Sequence, residues 1–357
     1  MDRAPGQRFR FEQYIGHLER NGFNCELSHL VTEGDDAVLY KRGHYLEKAR
    51  FVRRSHQVRR ADLERLHQFD IVFVFREALM TRSITYEKAF RKGGAKIIFD
   101  FDDSIWLPNV SAANRRWAWM KDPHKTSRII ALADRVFAGN EHLAEYARAY
   151  NSRVSVIPTT IDTEEYKPLP RTDRSGPVVI GWSGSITTIA HFQHALPPLR
   201  TIKERFGDRV AFRVIGDEQF VEPSLDIQGL PWRKDTELAD LGAIDIGIMP
   251  LPDDPWARGK CGLKGLQYMG LGIPAIMSPV GVNTEIIQDG VNGFLAGNDK
   301  EWVDRITRLV EDAELRERMG VEARRTVEDR YSVHAWQDRY VQAFEELMNE
   351  TNTQWTR

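Results

Sequence analysis

Short apolar runs alternate with amphipathic segments along nearly the whole chain. The runs are rich in Val, Ile and Phe, and the segments between them carry apolar residues at helical spacing. Such continuous runs are typical of parallel strands that are buried on both faces of a sheet. The predicted strands lie at 71–75, 96–101, 135–138, 154–157, 178–182, 211–215, 244–249 and 273–278. The pattern therefore predicts an α/β protein whose parallel strands are joined by right-handed crossovers.

The segment at 167–177, KPLPRTDRSGP, interrupts this pattern. It is rich in proline and charged residues and has no hydrophobic periodicity, as is typical of a linker. We therefore predict one domain at 1–168 and a second at 177–331. Beyond them, apolar side chains at helical spacing predict an amphipathic helix at 332–350.

The start of the chain departs from the usual order of a doubly wound domain. The sequence APGQRFR leads directly into a predicted helix at about 11–21. Such domains normally place a strand before a glycine-containing loop of this kind. We expect either that the first domain lacks its first strand or that the true start lies upstream of Met1.

Composition narrows the class of protein. Of the 357 residues, 41% are hydrophobic and 29% are charged, which is typical of a globular protein. The formal charge of −2 argues against a general nucleic-acid binder. Cys25 and Cys261 lie far apart and match no zinc spacing, which favours a reducing cytoplasm. The N-terminus has no apolar core, so we expect no signal peptide, and no run comes near the ~20 apolar residues of a membrane-spanning helix, so we expect any membrane contact to be peripheral.

The stretch at 256–285 is the most informative motif. Lys260 and Lys264 flank Gly262 and Leu263 at the predicted start of a short helix. Cations at a helix start oppose the helix dipole unless an anion also lies there, and free backbone N–H groups bind phosphate. The motif therefore favours a diphosphate site, although two solvated lysines are the alternative.

The ends of the next predicted strands carry small residues. Ser183, Gly184 and Ser185 follow one strand, and Gly216 follows its neighbour. Small residues let the backbone approach a ligand, and hydroxyl and N–H groups can hold phosphate oxygens; a tight, serine-capped turn is the alternative. Trp232, which follows a further turn, either stacks on a nucleotide base or packs in the core.

The segment at 178–347 resembles the donor-binding domain of the family-4 retaining glycosyltransferases, or glycosyl transferases group 1. The resemblance rests on GLKGLQYMGLGIPAIMSPVG at 262–281, on Asn283-Thr284-Glu285, and on DGVNGFL, which is similar to the family's DGxNGxL element. In the first half, VIPTTID at 156–162 is similar to the family's IPNGVD strand end.

The resemblance implies the GT-B architecture, with two doubly wound Rossmann-like domains facing a cleft. It implies that 1–168 is the acceptor-side domain, that 177–331 binds a nucleotide diphosphate sugar, and that the helix at 332–350 crosses back to the first domain. It also implies transfer with retention of anomeric configuration, and it makes Glu285 a donor-binding residue.

Three departures from the family pattern concern the donor site. The family's two glutamates are replaced by Gly259, which has no side chain to offer, and by Gln267, whose amide can still bind ribose. The usual Arg and Lys after the first donor-domain strand are absent from 183–196. The expected sources of positive charge are instead Arg258, Lys260 and Lys264, of which we expect Lys264 to act in catalysis.

The acceptor side carries carboxylates where many relatives have a histidine. Asp100, Asp102 and Asp103 lie at the end of the predicted strand at 96–101. Three roles are open for them: they could bind a metal, they could bind the hydroxyls of the sugar or acceptor, or one of them could cap the next helix. We favour Asp102 and Asp103 as catalytic residues and Asp100, with Arg8 and Arg10, as acceptor-binding residues. We expect neither a metal nor another cofactor, because GT-B enzymes generally hold the diphosphate with amides and cations.

A basic stretch runs from Lys41 to Arg60 and contains one acidic residue. Such a stretch is either a solvated helix face or a contact with an anionic membrane surface or lipid-phosphate acceptor, where each basic residue is worth ~1 kcal/mol. The second alternative would place a cytoplasmic protein at the inner membrane face.

Taken together, the residues and the resemblance predict a glycosyltransferase that moves a sugar from a nucleotide diphosphate sugar to a saccharide or lipid-linked acceptor. Two alternatives remain open. One is a nucleotide-sugar epimerase on the same architecture, and the other is a non-catalytic sugar-nucleotide-binding or scaffold protein, which the replacements at Gly259 and Gln267 favour.

Overall fold

The computed structural model describes residues 5–39, 43–107, 122–169, 176–186 and 188–354. The chain divides into two compact units. The N-terminal unit comprises Ile15–Ile157 and the chain from Arg339 on, and the C-terminal unit comprises Pro158–Asp338 and the chain up to Tyr14.

This division differs from the predicted domains at the chain ends. The segment up to Tyr14 and the segment 158–168 were expected in the first domain, but both group with the C-terminal unit. The predicted helix at 332–350 is divided between the units after Asp338. The linker predicted at 167–177 lies partly outside the described residues.

Helices separate most of the strands, as the periodicity predicts. The described α-helices are α1 (Pro5–Arg10), α2 (Ile15–Arg20), α3 (Glu33–Leu39), α4 (Tyr45–Arg65), α5 (Thr85–Lys92), α6 (Lys125–Leu132), α7 (Glu141–Arg148), α8 (Ile189–Gln193), α9 (Leu196–Phe206), α10 (Glu237–Gly242), α11 (Pro255–Arg258), α12 (Leu263–Gly270), α13 (Asn283–Ile286), α14 (Asp299–Glu311), α15 (Ala313–Arg330) and α16 (Val333–Gln354). None of these described helices combines the length and apolar character that crossing a bilayer requires.

Two parallel sheets form the cores of the units. The described strands are β1 (Ile71–Phe75), β2 (Lys96–Phe101), β3 (Arg135–Ala138), β4 (Val154–Val156), β5 (Val178–Ser183), β6 (Val210–Ile215), β7 (Val221–Glu222), β8 (Ile227–Gln228), β9 (Ile246–Met249), β10 (Ala275–Met277) and β11 (Gly293–Leu295). The first sheet has the order β1-β2-β3-β4 and the second β11-β10-β9-β5-β6, while β7 and β8 form a short antiparallel pair.

Parallel pairing throughout both large sheets confirms the predicted α/β class. Each predicted strand has a counterpart that begins within two residues of the expected position. Ahead of β1, the described residues form helices and irregular segments and contain no strand. Strands β7, β8 and β11 were not predicted; the two residues of β7 and of β8 are too few to set up a pattern.

The end of α16 completes the core of the N-terminal unit. The ring of Tyr340 lies 5.4 Å from that of Phe137 and 6.4 Å from that of Phe73, and Phe344 stacks on Phe73 at 6.3 Å. These contacts bury an aromatic face of the helix on the sheet, which is the interaction that its periodicity predicted.

The start of the chain packs within the C-terminal unit. Phe9 is buried, with its ring 5.9 Å from that of Tyr166. The Gln13 amide donates to the Thr160 hydroxyl at 2.6 Å, and the Tyr14 hydroxyl lies 2.7 Å from the same oxygen. The segment therefore contributes core side chains to this unit.

A buried charged cluster fixes the loop after β1. The Lys125 ammonium group donates to the Glu77 carboxylate at 2.6 Å and to the carbonyl of Leu79 at 2.6 Å. Nearby, one carboxylate oxygen of Glu87 accepts from the Ala78 N–H at 3.0 Å. The other oxygen of Glu87 is buried and has no hydrogen-bond partner among the residues that the structure describes, and burial raises the pKa of this carboxyl group above its ordinary 4.5.

This cluster predicts a pH-dependent effect of Glu87→Gln. A carboxyl group with a raised folded-state pKa stabilises the fold fully below its unfolded pKa, and that contribution is lost as the pH rises through the folded pKa. We therefore expect the free energy of unfolding of the variant to rise relative to that of the wild type as the pH increases. Urea unfolding between pH 4 and pH 8 (roughly the range over which linkage matters) measures this difference. The expected gain is on the order of 1 kcal/mol, the scale of an unpartnered buried polar group.

Glu145→Gln is the control, because Glu145 is exposed on α7 of the same unit. A constant difference between Glu87→Gln and the wild type across this pH range would contradict the prediction.

Candidate functional site

The start of α12 is strongly positive. Its N-cap residue, Gly262, is left-handed with φ 72°, no side chain caps the helix, and the first turn has no acidic residue. The Lys264 ammonium group lies 4.6 Å from the ring centre of Trp182, and that of Lys260 lies 5.2 Å from the ring centre of Trp256. Two ammonium groups held over aromatic faces at an uncapped helix start form a suitable site for an anion.

Glycine is required at position 262 on two grounds. A Cβ at Gly262 would lie 2.3 Å from the Ile286 side chain, and φ is positive. Leu263 is half-buried as the first helical residue. The lysine loop is therefore held closely against α13, which carries Glu285 as an exposed side chain.

The turn after β5 does not offer its backbone N–H groups to a ligand. The N–H of Ser183 donates to the Tyr268 hydroxyl at 2.7 Å, that of Gly184 to the Ile215 carbonyl at 2.9 Å, and that of Ser185 to the Thr188 hydroxyl at 2.9 Å. The expectation that these N–H groups hold phosphate is wrong, because each of them already donates to an acceptor inside the protein. Ser185 remains exposed, whereas Ser183 is buried.

Gly216 serves close packing between two strand ends. A Cβ there would lie 2.1 Å from the Gly184 carbonyl oxygen, and its φ is 120°. The expected donor contact at this residue is thus replaced by a contact between two turns. The small residues of both strand ends support the site by letting the backbones meet.

His191 is a residue of this site that the sequence reasoning missed. Its Nδ1 atom is buried without a hydrogen-bond partner among the described residues. Burial, followed by the charges of Lys264 and Lys260, lowers its pKa from 6.5 to about 4. A neutral imidazole carries no charge pattern in the sequence, unlike the lysine and arginine that the family places after this strand.

The buried carboxylate of Glu237 accepts hydrogen bonds from several side chains that were expected to contact a ligand. It accepts from the Gln267 amide at 3.0 Å, from the Trp232 indole N–H at 3.1 Å and from the Arg8 guanidinium at 2.7 Å. The Tyr166 hydroxyl accepts from Gln267 at 3.1 Å and from Arg8. Burial raises the pKa of Tyr166, which therefore stays protonated.

These contacts correct three expected roles. The Gln267 amide nitrogen is committed to Glu237 and Tyr166, and the side chain is buried, so it does not face a ribose. Trp232 packs against the core, which was the alternative to base stacking. Arg8 is 4% exposed in this network, which does not fit an acceptor-binding role.

Two further arginines also do not fit the roles expected of them. Arg10 is 1% exposed within the C-terminal unit, so burial argues against acceptor binding there as well. Arg258 is exposed, and its guanidinium pairs with the Asp253 carboxylate at 2.7 Å and 3.1 Å. Of the three expected cation sources, the two lysines are therefore the ones at the helix start.

The end of β2 brings two of the predicted carboxylates together on an arginine. The Arg76 guanidinium lies 2.6 Å from Asp102 and 2.7 Å from Asp103, and both carboxylates are largely buried. Arg76 follows β1 and has a φ of 61°, which is uncommon for a residue other than glycine. Asp100 is fully buried, so it does not contact an acceptor as expected. Sequence reasoning missed Arg76 because the pairing of β1 with β2 is not readable from the sequence.

The carboxylate cluster holds a guanidinium group, and the metal alternative gains no support from it. Within the part of the chain that the structure describes, no three His, Cys, Asp or Glu side chains converge as metal ligands would.

Comparison with known proteins shows a partial family match and a similar fold. Residues 177–312 match the family described as Glycosyl transferases group 1. Solved structures with a similar fold include HepE of Anabaena in complex with UDP and glucose, at 16% identity, a TM-score of 0.60 and coverage of 81% of this chain and 82% of that one. Sucrose-phosphate synthase of Thermosynechococcus elongatus is 13% identical, with a TM-score of 0.63 and coverage of 84% and 79%.

Among curated proteins, spore coat protein SA of Bacillus subtilis is 36% identical over 74 residues, which is 20% of this chain and 19% of that protein. The shared fold confirms the predicted GT-B architecture of two Rossmann-like domains. The match to Glycosyl transferases group 1 lies within the C-terminal unit.

The Glu237 network predicts a structural role for Arg8. Arg8→Ala leaves the carboxylate of Glu237, which is 5% exposed, without its charge partner. Breaking a buried ion pair from one side costs about 3–5 kcal/mol, and urea unfolding should show a loss of this size.

Arg318→Ala is the matched control, because Arg318 is 65% exposed in an i,i+4 pair with Glu314. Its expected effect is below about 0.5 kcal/mol. A stable Arg8→Ala protein with weakened acceptor binding would instead support the acceptor role.

Proposed function

We propose that this protein transfers a sugar from a nucleotide diphosphate sugar to a hydroxyl group of a saccharide or lipid-linked acceptor. The observation that carries the proposal is the uncapped start of α12 with Lys260 and Lys264, inside the segment that matches Glycosyl transferases group 1. The reaction that this site favours is departure of a diphosphate.

The alternative of two merely solvated lysines is less consistent with their environment. Both side chains are half-buried, and each ammonium group lies over an aromatic ring. Holding two like charges and the positive end of a helix in one place costs energy that a bound anion recovers. The site is therefore arranged for a ligand with at least two negative charges.

In the proposed reaction, the bond from the anomeric carbon to the diphosphate oxygen breaks and a bond to the acceptor oxygen forms. The acceptor proton passes to the departing diphosphate. Lys264 and Lys260 stabilise the charge that develops on that leaving group, which is electrostatic catalysis by preorganised groups. We further propose retention of configuration at the anomeric carbon and independence of metal ions, because the lysines supply the charge that a metal would.

On the acceptor side, we propose that Asp102 and Asp103 accept hydrogen bonds from sugar hydroxyls. Arg76 holds the two carboxylates side by side, which preorganises them. Glu285, exposed on α13 next to the lysine loop, is proposed to contact the donor.

A non-catalytic sugar-nucleotide-binding protein is the second candidate. The observation that favours it is that Gln267 lies buried in a structural network and Gly259 has no side chain. Incubation with a panel of nucleotide sugars and acceptors separates the candidates. Binding without release of nucleotide on any acceptor supports the second, and free epimerised sugar nucleotide would indicate an epimerase.

Lys264→Ala tests the proposed diphosphate site. Loss of an ammonium group at the diphosphate site should weaken binding of UDP-glucose or UDP about tenfold or more, since a charge-assisted contact is worth about 1.5–3 kcal/mol. Isothermal titration calorimetry measures the affinity, and nucleotide release measures a parallel loss of turnover.

Lys300→Ala is the matched control, because Lys300 also lies in the first turn of a helix, α14. That helix is capped by the Asn298 side chain and has Asp299 and Glu301 in its first turn, so it offers no anion site. Equal affinities of the Lys264→Ala variant and the wild type would refute the proposed diphosphate site.

One face of α4 supports contact with an anionic membrane surface. Leu46, Arg50, Arg53, Gln57 and Arg60 recur at helical spacing, and all five are exposed. Leu46 is 74% exposed, which is high for a large apolar side chain. An exposed apolar residue beside three arginines is typical of a helix that lies on an anionic surface.

Four other basic residues of the stretch from Lys41 to Arg60 are either paired with an acidic residue or outside the described part of the chain. Arg54 pairs with Asp35, and Arg59 pairs with Asp62 at 2.8 Å. Lys41 and Arg42 lie outside the described residues. We propose that the exposed face of α4 holds this protein peripherally at the inner face of a membrane, in the cytoplasm.

This surface predicts binding to vesicles that contain anionic lipid, and none to purely zwitterionic vesicles. Each basic residue near an anionic surface is worth ~1 kcal/mol, so Arg50→Glu with Arg53→Glu should reduce the partition coefficient at least ~30-fold in a sedimentation assay. Arg318→Glu with Arg325→Glu makes the same change of charge on α15 and should leave most binding intact. Equal loss in both double variants would indicate net charge alone and contradict a role of α4.

A further inference from the structure

His191 lies beside the proposed diphosphate site and has no part in the function argued so far. It is on α8, the first helix after the turn at Gly184 and Ser185. Its neighbour Phe192 packs on Trp182 at a ring distance of 5.7 Å, and Lys264 lies over that same tryptophan ring. Helix α8 and the start of α12 therefore pack on the same tryptophan side chain.

The imidazole of His191 has an unmet hydrogen-bonding capacity. Its Nδ1 atom is buried and has no partner among the described residues. A neutral imidazole presents either an N–H without an acceptor or a lone pair without a donor at this atom. Either condition costs about 1–3 kcal/mol, so an unpartnered buried atom beside an anion site points to a ligand.

Four charged or titratable groups act on His191. Lys264 at the start of α12 and Lys260 in the loop before it disfavour the protonated ring, and His194 at the end of α8 does so weakly. Asp254, the N-cap residue of α11, favours it. Without an anion, burial and then this repulsion dominate, so the ring is neutral at pH 7 with a pKa of about 4.

We propose that His191 takes up a proton when a nucleotide diphosphate sugar binds, and that its Nδ1–H then donates to a phosphate oxygen as a third cationic contact beside Lys260 and Lys264. This inference rests on the proposed function of the site. The proton comes from solvent, one N–H bond forms on the ring, and no other bond changes.

The physical reason lies in the balance of charge. A nucleotide diphosphate sugar carries about two negative charges at neutral pH, one on each phosphate. These charges offset the two lysines, so the field at the imidazole changes from repelling a proton to attracting one. The same event gives the buried Nδ1 atom its missing partner, so both effects raise the pKa of His191 in the complex.

Proton uptake on binding of UDP-glucose tests this inference. Each phosphate of this probe has one ester bond and one shared anhydride bond, so neither titrates near neutral pH and neither obscures the measurement. Titration calorimetry in two buffers of different ionisation enthalpy, between pH 6 and pH 8 (roughly the range in which histidine titrates), gives the number of protons bound. If UDP-glucose does not bind, the tightest nucleotide sugar of the panel is the probe.

For the wild type, we expect uptake that approaches about one proton per ligand at the acid end, with a dissociation constant about tenfold lower there than at the alkaline end. For His191→Gln, we expect almost no uptake and an affinity that hardly depends on pH. His194→Gln is the matched control on the same helix end, because His194 is exposed, and it should retain the uptake.

Binding of the nucleotide sugar without proton uptake, or equal uptake by His191→Gln and the wild type, overturns this inference and leaves the proposed function intact. Failure of every nucleotide sugar to bind overturns the proposed function itself, and the inference with it. Loss of uptake in His191→Gln but not in His194→Gln supports the inference.

Discussion

The arrangement of the C-terminal unit depends on the hydrogen bonds that the carboxylate of Glu237 accepts. The Glu237 side chain is 5% exposed and accepts hydrogen bonds from Arg8, Trp232 and Gln267. Burial of a charge is costly unless it is paired and hydrogen-bonded, so these partners are held in fixed positions. Gln267 lies one turn from Lys264 on α12, and the network therefore anchors the helix whose first turn forms the candidate diphosphate site.

This anchoring explains how the positive charge of the site is tolerated. An uncapped helix start and two ammonium groups repel one another, and a mobile helix would turn or fray to separate them. Fixed from its middle by Gln267, α12 keeps Lys264 over the ring of Trp182. Preorganised charge of this kind stabilises a developing negative charge without reorganisation during the reaction.

The sequence was sufficient to predict the elements that follow from a local pattern of residues. Apolar runs located β1 to β6, β9 and β10, and the glycine and lysine motif located the start of α12. It was insufficient wherever a role depends on a partner far along the chain. Arg8 pairs with Glu237 across 229 positions, and Gln267 reaches Tyr166 across 101. Arg76 was missed because its positive φ and its two aspartate partners emerge only once β1 and β2 pair.

The turn after β5 shows why side chains must supply the charge at the proposed site. In a backbone cradle, N–H groups hold phosphate and glycine keeps the approach open. Here the N–H groups of Ser183, Gly184 and Ser185 already donate within the protein, so they do not form such a cradle. Side-chain cations remain, and unlike amides they respond to their surroundings. A site built from two lysines and a desolvated histidine therefore couples phosphate binding to protonation, which a site of backbone amides could not do.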